Sequence, residues 1–136
     1  MDLLRRSCSL ATPFYLLALL LSSCKGATFT FVNKCGYTVW PGILPGAGTS
    51  PLETTGFQLA RKDFRTFQAP PGWSGRFWAR TGCTFDSSGH GSCATGDCGS
   101  GLMECNGAGA APPATLAEFW RTLYDYKRRL ILSRLL

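Results

Sequence analysis

Apolar and polar residues alternate with a period of two in three short stretches: around Phe29, Thr30 and Phe31, along Phe64-Arg65-Thr66-Phe67, and along Arg76-Phe77-Trp78-Ala79-Arg80-Thr81. A period of two places successive side chains on opposite faces of a strand, so each stretch predicts a half-buried β-strand. In the last of them Phe77, Ala79 and Thr81 share one face, predicted to meet the core, and Arg76, Trp78 and Arg80 share the other, predicted to form an aromatic and basic outer side. Tyr37 to Trp40 is a further short β-prone run, set off from the first strand by a turn at Asn33 to Gly36. Pro70-Pro71-Gly72 turns the chain between the second and third stretches, and the prolines and glycines of Pro41 to Pro51 predict an exposed loop. Short strands separated by turn clusters predict an all-β sandwich.

The spacing changes near the C-terminus. Thr115 followed by Glu118 has the form of a capping box opening a helix. Leu123, Tyr126, Leu130 and Ile131 recur at helical intervals with Lys127, Arg128 and Arg129 between them, which predicts a helical or disordered tail over residues 120–136. At the other end, Arg5 and Arg6 precede an apolar run from Phe14 to Leu21, with small residues near Cys24 and Gly26. Residues 1–26 therefore read as a secretory signal, and the apolar run is too short for a membrane anchor.

Export changes the meaning of the seven cysteines, because an oxidising compartment makes disulfides the default. Cys8 and Cys24 leave with the signal, and Cys35, Cys83, Cys93, Cys98 and Cys105 remain, an odd number. The formal net charge is +6, yet between Ala27 and Trp120 the basic and acidic side chains balance. The mature excess lies in the tail, where Arg121, Lys127, Arg128, Arg129 and Arg134 face only Asp125.

The stretch from Gly89 to Cys105 satisfies the pattern G-x-G-x-C-x-T-G-D-C-x-x-G-x-x-x-C at Gly89, Gly91, Cys93, Thr95, Gly96, Asp97, Cys98, Gly101 and Cys105. Its glycines exclude a helix or a plain strand, so it is a loop held by covalent bonds. In this pattern the chain resembles the thaumatin-like proteins of the plant pathogenesis-related type. The opening Ala27 to Pro41, the run Arg76 to Cys83 and the Thr115-Leu116-Ala117-Glu118 segment also match that family, and the resemblance covers residues 27–119.

The resemblance implies a partial thaumatin-like antiparallel sandwich with a disulfide-stapled loop, bridged Cys83 to Cys93 and Cys98 to Cys105. It pairs the cysteine at the Cys35 position with one close to the C-terminus, which this chain lacks, so Cys35 is expected to be unpaired. Beyond Phe119 neither the Asp-rich strand nor the cysteine-dense second domain that the resemblance implies follows, so the chain is expected to be a truncated, alternatively spliced or frame-altered product. A zinc site on His90, Cys93, Cys98 and Cys105 is the competing use of these residues, and export weighs against it. No metal and no cofactor is expected.

In the family an acidic cleft is lined by one arginine, one glutamate and three aspartates. By motif the arginine falls on Arg76 and the glutamate on Glu118, and the three aspartates have no counterparts. Glycoside hydrolysis needs two carboxyl groups flanking one bond, so no catalytic residue is assigned. The expected function is antifungal defence outside the cell, by binding fungal cell-wall β-glucan or perturbing fungal membranes. An endo-β-1,3-glucanase and an inactive shortened isoform are the alternatives. The expected partner is β-glucan or the fungal cell surface, bound by a monomer, with no nucleic acid involved.

Overall fold

A computed structural model of the chain describes residues 26–120 and 127–136. The expected signal, all but Gly26, lies outside the described residues, as do Leu123, Asp125 and Tyr126. The elements in chain order are β1 (Thr28–Val32), β2 (Trp40–Pro45), β3 (Phe64–Gln68), β4 (Gly75–Arg80), β5 (Thr84–Phe85), β6 (Gly91–Ser92), β7 (Ala117–Phe119), β8 (Lys127–Ile131) and a 3-10 turn at Leu132–Arg134. They form two three-stranded sheets, ordered β3-β1-β8 and β2-β4-β7, and a small hairpin of β5 and β6.

The two sheets face each other across an aromatic core. Phe29, Phe31 and Phe67 project from the first sheet, and Ile43, Phe77 and Ala79 from the second. Phe77 stands 4.9 Å from Phe29 and 5.0 Å from Phe31, both edge-on, and 5.3 Å from Trp73, stacked. Edge-on and offset ring pairs contribute beyond the area they bury, so this cluster fixes the spacing of the layers. The fold class is therefore that of the expected all-β sandwich, antiparallel except at one edge, where β8 runs parallel to β1.

Three local expectations are corrected. The stretch expected as an exposed loop begins with a strand, β2, in which Pro41, Gly42 and Ile43 are buried. Pro41 and Pro45 share parity with Val39 and Ile43, whose N–H groups point away from β4 to the carbonyls of Leu59 and Thr55 at 3.1 and 2.9 Å. The donors that proline lacks thus fall outside the β2-β4 ladder.

The second correction concerns the capping box. Ala117–Phe119 is a strand, with Ala117 opposite Phe77 and Glu118 opposite Arg76. Phe119 reaches the core at 5.0 Å from Phe29, which a helix from Thr115 would not allow. The third concerns the tail. Lys127–Ile131 pairs residue for residue with Thr28–Val32, and Leu130 and Leu132, two apart, are both buried. Burial against β1 outweighs the helical spacing that Leu130 and Ile131 suggested.

Candidate functional site

The outer face of the second sheet divides in two. Parity puts Gly42, Leu44, Arg76, Trp78, Arg80 and Glu118 on the side away from the aromatic core. The stapled loop covers one half of this face. Cys83 is bonded to Cys93 and Cys98 to Cys105, and Trp78 packs with Cys98 and Cys105 beneath the loop. Trp78 Nε1 donates to the Gly96 carbonyl at 2.9 Å, and Gly96 holds φ +64 with the Ala79 carbonyl only 2.8 Å from where a Cβ would stand. Glycine is required there because the loop comes down directly on β4.

Arg80 is fully buried under the same loop. Its guanidinium donates to the carbonyls of Trp40 at 3.0 Å, Pro41 at 3.3 Å and Met103 at 2.8 Å, tying β2 to the loop. Burial pushes its pKa down to about 10, against the opposite pull of Asp97 and Glu104. The outer side expected to be aromatic and basic is thus exposed only at Arg76: the parity is as predicted, but a layer covers Trp78 and Arg80.

Glu104 closes the cover from the other side. Its carboxylate accepts from Thr54 Oγ1 at 2.5 Å, Thr55 N and Oγ1 both at 2.6 Å, and Gly56 N at 3.1 Å. Partial burial raises its pKa, and the bonds from Thr54, Thr55 and Gly56 outweigh that and hold it below the usual carboxylate range. Asp97 accepts the Cys93 and Gly99 amides, each at 2.9 Å, and so shapes the loop from within.

His90 lies at the loop surface, its Nδ1 4.0 Å from Asp86. The His90 amide, donating to Asp86 Oδ1 at 2.9 Å, holds that carboxyl below its ordinary range. The sulfurs of Cys93, Cys98 and Cys105 are each bonded to another cysteine sulfur in a disulfide, which leaves none of them a thiolate to bind a metal. Cys35 is a free thiol, half-buried against the aromatic core.

The uncovered half of the face is a groove of about 430 Å³. Arg76 and Glu118 meet on its floor, Nε to Oε1 at 3.1 Å, held opposite one another by the β4-β7 register. Ser74, Gly46 and Leu44 form one wall and Trp120, 78% exposed, stands at the other. Both residues picked from the sequence are thus brought together. Trp120 and Ser74 join them without a motif to mark them, although Trp120 shares parity with Glu118 and so belongs to the same face.

Such a groove offers an acceptor, a fixed cation and a flat ring, which suits a polyhydroxyl ligand. Among the described residues lining it, Glu118 is the only carboxylate. A second hollow of about 480 Å³, between Tyr37, Thr81, Thr95 and the Pro112-Pro113 pair, has no charged side chain in its lining. No helix among the described residues is long and apolar enough to cross a membrane.

Comparison with known proteins agrees with this architecture. A profile of the thaumatin family matches residues 33–128, continuing past Phe119. Thaumatin-like protein 1 of Arabidopsis thaliana is 63% identical over 103 residues, covering 75% of this chain and 40% of that protein. A glucan endo-1,3-beta-glucosidase of Prunus avium is 56% identical over 93 residues, covering 68% of this chain and 38% of that protein. Among solved structures, the thaumatin-like xylanase inhibitor TLXI superposes with a TM-score of 0.59 at 35% identity, over 70% of this chain and 60% of that one. The chain spans about two fifths of the length of the curated relatives it matches.

Proposed function

The chain belongs to the thaumatin family, and from that premise we propose that it is an exported defence protein that holds fungal wall β-1,3-glucan in the Arg76–Glu118 groove without cleaving it. The observation that carries this reading is the groove itself: one ion pair on its floor, one exposed indole at its rim, one carboxylate in its described lining. The indole supplies a face for a sugar ring, and the ion pair supplies a donor and an acceptor for hydroxyls.

Hydrolysis by two carboxyls requires them roughly 5 to 9.5 Å apart across the scissile bond. Glu118 has no such counterpart among the described residues of the groove, and its carboxylate is engaged by Arg76 at 3.1 Å. A relative named as a β-1,3-glucosidase supports the choice of glucan as ligand.

The test is co-sedimentation of the exported protein with insoluble β-1,3-glucan, alongside a reducing-sugar assay on laminarin. Retention of the wild type, weakened at least about fivefold in Trp120→Ala and in Arg76→Ala, is expected, with no sugar released. Equal retention of all three proteins would remove the groove from the account, and sugar release lost in Glu118→Gln would replace binding by catalysis.

A further inference from the structure

We propose that the opposite face of the molecule, the outer side of the β3-β1-β8 sheet, is a second binding surface whose ligand is an acidic polysaccharide of the polyuronate type. The register builds it. Gln68, Thr28 and Lys127 lie side by side across the three strands, and Thr66, Thr30 and Arg129 form the next row. These residues have the opposite parity to Phe29, Phe31 and Leu130, which face the core, so the rows face outward.

The rows are ordered before any ligand arrives. Thr28 Oγ1 donates to Gln68 Oε1 at 2.9 Å, and the hydroxyls of Thr30 and Thr66 share a hydrogen bond of 3.0 Å. Strand geometry then fixes a grid of hydroxyl and amide groups spaced roughly 4.8 Å across the strands and 6.8 Å along them. Each hydroxyl keeps a free acceptor or donor capacity, so the grid can meet sugar hydroxyls of either sense.

Charge selects an acidic ligand over a neutral one. Lys127 and Arg129 are exposed at the β8 edge, and none of the residues in these rows is acidic. The two cations are about 7 Å apart along the strand, inside the Debye length of roughly 8 Å at physiological salt, so they act on one polyanion together. Arg129 adds a planar fork matched to a carboxylate. Phe64, in the row beyond, is 66% exposed and offers a ring at the end of the grid. A bilayer would select apolar side chains reaching outward in the middle of the face, and the middle is threonine.

The site is distinct from the groove, which lies on the outer side of the other sheet. Its test is affinity electrophoresis of the exported protein through gels containing polygalacturonate, with fully methyl-esterified polygalacturonate and vesicles containing anionic lipid as parallel arms. Retardation by the acid form, falling with salt and absent with the ester, is expected. Lys127→Gln and Arg129→Gln should each lose about threefold in affinity and the double variant about tenfold, while Arg134→Gln, which removes one charge like either single variant but in the 3-10 turn beyond the sheet, should lose less than about twofold. Thr66→Lys, at an exposed position, should bind tighter. Equal losses in the Lys127→Gln, Arg129→Gln and Arg134→Gln single variants would mean nonspecific charge attraction, and capture by the ester or by vesicles alone would point to another ligand; each overturns the proposal.

Discussion

Replacing Glu104 by glutamine removes one charge and nearly no volume, and the loop clamp should weaken by a calculable amount. Four donors converge on this carboxylate, from Thr54, Thr55 and Gly56. A hydrogen bond to a charged acceptor is worth about 1 kcal/mol more than one to a neutral acceptor, so four bonds set an upper bound near 4 kcal/mol. Glu104 is only partly buried, and solvent screening reduces this to about 2 kcal/mol. For a domain of this size that lowers the unfolding midpoint by roughly 8 to 16 °C.

The pH dependence carries the sign. The folded-state pKa of Glu104 lies below the usual carboxylate value, so the stabilisation is full above about pH 5 and is lost as pH falls through the folded pKa. Glutamine does not titrate. Thermal unfolding followed by near-ultraviolet circular dichroism, with disulfides intact, should show the two proteins far apart at pH 7 and converging toward pH 3. A gap at pH 7 smaller than about 2 °C, or a gap that stays constant to pH 3, would refute the reasoning.

Two further outcomes test the packing. Gly42→Ala would place a Cβ 2.3 Å from Trp78 Cε2, and the ring is pinned by its bond to Gly96; overpacking of this kind costs about 1 to 3 kcal/mol, visible as a lower denaturant midpoint with unchanged slope. Leu130→Ala should cost about 2 to 4 kcal/mol because Leu130 is buried in the aromatic core, whereas Ser133→Ala at the exposed turn beyond should change the midpoint little; a tail that stayed undocked would leave both variants alike.

The parts of the fold legible in the sequence were those whose pattern is local. β1, β3 and β4 each announce themselves by alternation within a few residues, and the Arg76–Glu118 pair followed from motif alone. What the pattern missed depends on partners distant in the chain. β2 looks like a loop because its prolines are read without knowing which of their sides meets β4. β7 and β8 look helical because the strands that accept them, β4 and β1, lie far upstream. Arg80 looks like a surface cation because alternation gives its direction and says nothing of the loop that lands on it. Glu104 carried no local sign at all, since its four donors sit some fifty residues earlier.

The stapled loop rests on the Trp78 end of the outer face and stops short of Arg76. The segment that follows it, Ala108 to Ala110, packs beside Leu44 and Trp78 and so borders the groove at that end: lengthening it would crowd the channel, and shortening it would uncover floor toward Trp78. On the proposed reading of the groove, insertions and deletions in a segment outside both sheets would set the length of ligand it holds, leaving the strands and their aromatic interior untouched.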